Sequence, residues 1–339
     1  MKRALIFLLV SMALLACTPA KRYIRIDGYA QGGTYCVKLN MQGVKVPMED
    51  IRDSVEAILQ CIDTTLSGYN KGSILSRLNA GESVPATPML REMYALAYEW
   101  YEKSGGALDF AAGPLYDAWG FGFKEGRLPE ADTVQAILSR CGMKFLPPEL
   151  PEGIISMPVS LNFNAIAQGY TCDKVAAYLY SIGVKDMLVD IGEIWCDGLN
   201  PAGEPWSVGI DRPFDRPTDG TDTLGEELDG IWSSEGAAVG IVTSGNYRKY
   251  YVKDGKKYAH TIDPRSGYPV EHQLLSATVT SAGSSAAADA LATWCMVLGP
   301  DAAKELILSM DGVEGYLISS DGEGGMTEWV SPGFTLREN

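Results

Sequence analysis

Leu275–Gly299, LSATVTSAGSSAAADALATWCMVLG, holds two kinds of structure in one stretch. Residues 275–281 read as a strand, and Ser284 or Ser285 then caps a helix that runs to Gly299. On the N-terminal side, residues 239–261 read as strands, with Asp254-Gly255 at a hairpin turn. On the C-terminal side, a helix covers about 301–310 and a last hairpin turns near Asp321-Gly322. Further out, residues 165–182 predict a helix, followed by a buried strand from Met187 to Ile191. Residues 49–66 predict an amphipathic helix, because Ile51, Val55, Ile58, Leu59, Ile62 and Leu66 recur at steps of three and four. Residues 88–103 predict another, ended by Gly105-Gly106, and residues 22–40 a strand pair interrupted by Gly32-Gly33. Residues 213–230, rich in Asp, Gly, Pro and Thr, read as an exposed loop. Strands and helices mix without regular βαβ alternation, which predicts an α+β fold.

The N-terminus carries a different signal. Lys2 and Arg3 precede an apolar run from Ala4 to Leu15, too short for a bilayer span and of the length of a signal-peptide core. The run ends in Leu14-Leu15-Ala16-Cys17, which resembles a bacterial lipobox. Residues 1–16 are therefore expected to be a lipoprotein signal peptide, with Cys17 lipidated and residues 17–339 forming the mature domain. The simpler alternative is an ordinary signal peptide with an incidental Cys. An acyl anchor holds a protein to a membrane surface without a spanning helix.

After that cut, 26 basic residues face 43 acidic ones, a net charge of −17. Such a balance argues against nucleic acid as a partner, which needs a basic face. It leaves room for an anionic ligand held by backbone amides and a metal. Cys36, Cys61, Cys141, Cys172, Cys196 and Cys295 are scattered with no CxxC pair, so a zinc site is not indicated.

Three places concentrate chemistry. Asp289 and Thr293 stand four apart on the expected helix, one turn above each other on one face. Both offer hard oxygens of the kind magnesium takes. Alone, such a pair is more often a solvated Asp and a Thr bonded back to its own helix. Ala286, Ala287, Ala288, Ala290 and Ala292 leave little bulk around them, so a ligand or a second backbone could approach. His260-Thr261-Ile262-Asp263-Pro264-Arg265-Ser266-Gly267 sets a His and an Asp before a Pro/Gly turn. A lone His of this kind is more often structural than catalytic. Asn162 to Tyr170 lies at a helix start whose free N–H groups could bind phosphate, or could simply be capped.

In order, these segments and several others resemble the ApbE family of FAD:protein FMN transferases. Gly32-Gly33-Thr34-Tyr35 is similar to its (M)GT(x)Y element, and Ser67-Gly68-Tyr69-Asn70 with Ser76-Arg77-Leu78-Asn79 to its S-x-Y stretch. Ala107-Leu108-Asp109, Gly113-Pro114-Leu115 and Trp119-Gly120-Phe121-Gly122 are similar to its (A/F)-x-D, GPL and WGF elements. Ala165 to Tyr170 resembles AIAKGY, and Thr243-Ser244-Gly245-Asn246-Tyr247 resembles (T/S)SG-x-Y. Trp206 to Pro213, His260 to Gly267 and Ala288-Asp289-Ala290 with Thr293 complete the series over nearly the whole mature chain. Each match is weak by itself; their order carries the resemblance.

The resemblance implies two interlocked sub-domains, of the ApbE or T-fold type, with FAD in the cleft between them and magnesium at its pyrophosphate. It implies Asp289, Thr293 and the Ala165 carbonyl as metal ligands. It implies Gly32, Tyr69, Ala107, Leu108, Asp109, Asn162, Gln168 and Ile262 as FAD contacts. His260 is then a candidate base, with Asp263 as its orienter or substitute. The implied reaction moves FMN from FAD to a Thr or Ser hydroxyl and releases AMP. The implied acceptors are exported flavin-carrying subunits of Nqr-type (sodium-pumping NADH:quinone oxidoreductase) or Rnf-type complexes. Two alternatives share the site: an FAD pyrophosphatase, with water as acceptor, and a non-enzymatic FAD-binding lipoprotein. Three departures stand out: Gln168 replaces a usual Lys or Glu, Asn162 stands where Asp is common, and Val189-Asp190-Ile191-Gly192-Glu193 is one Gly short of a GG element.

Overall fold

The computed structural model describes residues 22–123, 128–213, 228–246, 250–253, 256–323 and 325–337. Cys17, the Asp254-Gly255 turn and most of the acidic run, residues 214–227, lie outside the described residues.

An eight-stranded sheet organises the chain. It contains β1 (Tyr23–Ala30), β2 (Gly33–Asn40), β5 (Met187–Asp190), β6 (Ile194–Asp197), β9 (Val239–Gly245), β14 (Leu274–Ala282), β15 (Val313–Ser320) and β16 (Met326–Val330), in that spatial order. Every neighbouring pair in it is antiparallel. A three-stranded sheet has the order β17 (Leu336–Arg337), β8 (Leu228–Ser233), β7 (Ser207–Asp211). Three short ribbons complete the strands: β3 (Val84–Pro85) with β4 (Ile154–Ile155), β10 (Tyr250–Lys253) with β11 (Lys256–Ala259), and β12 (Ile262–Asp263) with β13 (Tyr268–Pro269). The helices are α1 (Met48–Leu66), α2 (Ile74–Asn79), α3 (Pro88–Lys103), α4 (Gly113–Ala118), α5 (Ala131–Leu138), α6 (Ala167–Ser181), α7 (Ser285–Leu298) and α8 (Pro300–Leu308).

The α+β expectation holds, and the long elements fall where the sequence periods put them. α1 buries Ile51, Val55, Leu59, Ile62 and Leu66, the same stripe read from the spacing. α3 begins at an N-cap Thr87 and a first-turn Pro88. α7 is capped by Ser284, whose Oγ accepts from the Ala287 N–H at 3.0 Å. α6 begins at Ala167, two residues inside the expected range. Residues 228–230, expected as loop, belong to β8, because ladder bonds to β7 and β17 and burial of Trp232 outweigh the polar composition upstream.

The large sheet faces two cores. On one face Val242, Ala277, Val279 and Leu317 pack with α3 and α7 through Leu90, Met93, Leu291 and Met296. On the other face Ile241, Tyr316 and Ile318 pack against Trp206, Ile210 and Trp232 of the small sheet and its approach. A third cluster joins α1 and α6 to β1, β2 and β5 through Val55, Leu59, Val175, Leu179, Val37 and Val189. Among the described residues no helix is long and apolar enough to cross a membrane.

Candidate active site

The site begins where α6 crosses α7. Gly169 lies at the contact: a Cβ there would meet the Ser285 carbonyl oxygen at 2.2 Å, so only glycine allows the approach. The crossing is closed by two carboxylates in opposite senses. The Gly169 N–H, one of the unpaired donors at the start of α6, donates to Asp289 Oδ2 of α7 at 3.1 Å. One turn further along α6, Asp173 accepts from the Ser285 N–H at 2.7 Å, the Ala286 N–H at 3.0 Å and the Ser284 hydroxyl at 2.9 Å, which caps α7. Asp173 escaped the sequence reading, since a helical Asp facing another helix start leaves no local pattern.

Asp289 is 5% exposed. Burial pushes its carboxyl up to about 7, the Gly169 bond opposes that, and the neighbouring Asp173 charge adds to it. Across from it, Thr293 Oγ1 lies 3.4 Å from Ser244 Oγ of β9. Ser244 sits in a motif quoted above without having been assigned a role. Both Asp289 and Thr293 face a cleft of about 2260 Å³ that also takes in Ala165.

The same cleft is lined by Gly32, Tyr69, Ala107, Leu108, Asp109, Asn162, Gln168, Ile262 and His260. With Ala165, Asp289 and Thr293, these residues bring six separated segments of sequence to one cleft. Gly32, at φ +84°, makes the β1–β2 turn. Tyr69 is 64% exposed at the rim, with its hydroxyl accepting from Asn164 Nδ2 at 3.2 Å and its ring edge-on to Phe123. Asp109 is held in place by the Ala111 and Met143 N–H groups, each at 2.9 Å, and burial raises its carboxyl. Asn162 is buried and its Oδ1 accepts from the Asn164 N–H at 2.9 Å, a turn that a neutral amide closes without adding charge. Gln168 Nε2 donates to the Ile191 carbonyl at 3.3 Å, and a Cβ at Gly192 would meet that same Nε2 at 2.5 Å.

His260 lies in the wall with its ring edge-on to Phe121, centroids 6.2 Å apart. The adjacent Thr261 donates to Asn246 Oδ1 at 2.6 Å, which ties this segment to the end of β9. Asp263 is engaged by Arg265. Its carboxylate accepts from the Arg265 N–H, Nε and Nη2, each at 2.9 Å, and it is not among the cleft-lining residues. A fork-shaped guanidinium two residues away satisfies both oxygens and fixes the turn.

The charge of the cleft is one-sided. Glu56, Asp63, Asp109, Asp190, Glu193, Asp211 and Asp289 line it, and among the described lining residues there is no Lys or Arg. Among the described residues no group of three or more His, Cys, Asp or Glu could hold a metal. The hard oxygens there are instead the Asp289 carboxylate and the Thr293 hydroxyl, with Ala165 in the same cleft wall. That set suits a hard cation that keeps water and ligand phosphate oxygens in its remaining positions. A buried carboxylate with an acidic neighbour is also a place where a cation would offset an unfavourable charge.

Residues 32–317 match the ApbE family. The chain is 31% identical over 302 residues to the FAD:protein FMN transferase of Escherichia coli (strain K12), covering 84% of this chain and 81% of that protein. It is 31% identical over 335 residues to the FAD:protein FMN transferase of Haemophilus influenzae, covering 94% and 93%. Among solved structures it is similar to the apo form of Pseudomonas stutzeri flavinyl transferase ApbE, with a TM-score of 0.78 and 33% identity over 92% of this chain and 95% of that one. The flavin transferase ApbE from Vibrio cholerae gives a TM-score of 0.76 at 28% identity, over 92% and 98%.

Proposed function

The chain belongs to the ApbE family, and from that premise we propose that it is a magnesium-dependent FAD:protein FMN transferase. The observation that carries the magnesium requirement is the acidic cleft: an FAD pyrophosphate cannot enter beside seven carboxylates without cationic compensation, and no Lys or Arg lines the described wall. Asp289, Thr293 and the Ala165 carbonyl would hold the ion, which neutralises pyrophosphate charge when bound.

The chain's own residues then have distinct tasks. The Gly169 N–H orients the Asp289 carboxylate. Tyr69, exposed at the rim, offers an aromatic face to the flavin. Gln168, Asn162 and the Ala107–Asp109 segment shape the wall through their backbone ties. His260 takes the proton of the acceptor hydroxyl as its oxygen bonds to the FMN-side phosphorus and the bond to AMP breaks. Asp263 contributes by fixing the turn after His260 through Arg265.

The acceptor is a Thr or Ser hydroxyl of an exported protein, of the kind carried by Nqr-type or Rnf-type flavin subunits. Export with a lipid anchor at Cys17 places the enzyme on the same side of a bacterial membrane, on its periplasmic face. The test is to incubate the mature chain with FAD, Mg2+ and an apo flavin subunit of a sodium-pumping NADH:quinone oxidoreductase. FMN mass on the acceptor with one AMP released supports transfer. Free FMN without labelled acceptor points to a pyrophosphatase, and intact FAD to a carrier.

A further inference from the structure

We propose that the acceptor enters the cleft as an extended segment that adds to the edge of β7 at Ser207 and Gly209, an inference that rests on the flavin-transfer reading above. β7 is the edge strand of the three-stranded sheet among the described residues. Its residues Val208, Gly209, Ile210 and Asp211 line the cleft.

The register decides which groups the edge presents. Trp206 accepts from the Ser234 N–H at 2.9 Å through its carbonyl and donates its own N–H to Ser234 Oγ at 3.1 Å, so its backbone groups face β8. Ser207 is then opposite Ser233, and Gly209 opposite Ile231. Bonded and non-bonded pairs alternate along an antiparallel ladder. Consistent with that, the Ser233 N–H points the other way and donates to the Thr335 carbonyl at 3.1 Å, on the β17 side. Ser207 and Gly209 therefore turn their N–H and C=O groups away from β8, towards the open edge, and both residues are exposed.

Such an edge is a template for a further strand. Glycine inside a strand often marks close approach of another backbone, and a Cβ at Gly209 would meet only the end of the Leu228 side chain, with Cδ2 at 3.0 Å. Another edge that reaches the cleft, β1, does so only through Gly28, Tyr29 and Ala30 and carries the Arg25–Asp27 ion pair further along. Charges of that kind discourage strand addition. A strand seated on β7 lies roughly 4.8 Å from it, inside the cleft. Main-chain bonds would fix its register while leaving its side chains free to vary, except for the hydroxyl that meets the phosphorus.

Gly209→Pro removes an N–H that β8 does not use and places a ring on the open edge, a position where proline is tolerated. Gly209→Ala adds the same Cβ against Leu228 and keeps the N–H. With the full chain, FAD, Mg2+ and the flavin subunit of the test above, Gly209→Pro should raise the acceptor KM tenfold or more. Gly209→Ala should change it less than threefold, with FAD affinity within twofold in both. A wild-type acceptor KM in Gly209→Pro overturns the proposal, as does an equal rise in the two variants. Amide hydrogen exchange on the wild-type chain is independent of variant folding: Ser207 and Gly209 must gain protection when acceptor binds, and unchanged exchange overturns the proposal. If labelled acceptor forms while the edge amides stay unprotected, only the docking mode fails. If wild type labels no acceptor, the flavin-transfer reading fails and takes the docking mode with it.

Discussion

At the scale of single residues, the proposed reaction rests on Asp289 and His260, and they respond to different probes. In the metal-free chain burial holds the Asp289 carboxyl up near 7. An unfolded Asp titrates near about 4, so between about pH 4 and 7 the folded chain keeps a proton that the unfolded chain has lost. This group's contribution to stability is then full below about pH 4 and lost as pH rises to about 7. Thermal melts in chelator should show Asp289→Asn gaining on wild type as the pH is raised from 4.5 to 8; parallel Tm curves would refute the burial argument. The same substitution should abolish transfer at low Mg2+, whereas Thr293→Ala should do less, because it removes one neutral donor. His260→Ala should lower the transfer rate by about 10²–10⁴, the range for a general base, while FAD affinity stays within a few fold. Weakened FAD binding with an unchanged pH–rate profile would move His260 to a structural role. The sequence made Asp289, Thr293 and His260 visible because each stands at a recognisable spacing or turn. It did not show that Arg265 engages the Asp263 carboxylate, because Arg265 is two positions on and reads as part of the turn.

At the scale of elements, the α6–α7 crossing positions the site. Each helix start is capped by a carboxylate from the other, Asp289 for α6 and Asp173 for α7. Asp173→Ala strips three donors of their partner and should cost about 1–3 kcal/mol, since a lost cap is worth about 1 and orphaned donors add to it. Gly169→Ala should be worse for transfer than for folding. A methyl 2.2 Å from the Ser285 carbonyl must push the helices apart, and the displacement falls directly on the Asp289 bond. Denaturant melts together with transfer rates check both; a Gly169→Ala chain with wild-type rate would show that the crossing tolerates separation. The two helices were legible because their periods are local. Their crossing was not, since Gly169 reads as a mild helix breaker until its partner strand and helix are known. The β7–β8 sheet was missed for a similar reason: five residues interrupted by Gly209 and a strand leading out of an acidic run make no period of their own.

At the scale of the whole molecule, an acidic chain has built a cleft whose described lining carries seven carboxylates and no basic side chain. The net charge was plain from composition. Its concentration around one cleft, by Glu56 and Asp63 of α1, Asp190 and Glu193 at the β5–β6 turn and Asp211 of β7, required the tertiary fold. The proposed anchor at Cys17 belongs at this scale too, since it would set where the enzyme meets its acceptor. Cys17→Ser should leave the chain unacylated and unanchored or unprocessed, read by membrane fractionation and intact mass; normal attachment would remove the lipobox reading.

The most direct measurement is FAD affinity of the mature chain by calorimetry, with Mg2+ and with chelator, for wild type and Asp289→Asn. If cation at Asp289 is what admits the pyrophosphate, wild type should bind FAD at least tenfold more tightly with Mg2+ than without, and Asp289→Asn should lose most of that difference. Equal FAD affinity with Mg2+ and with chelator in the wild type would contradict it.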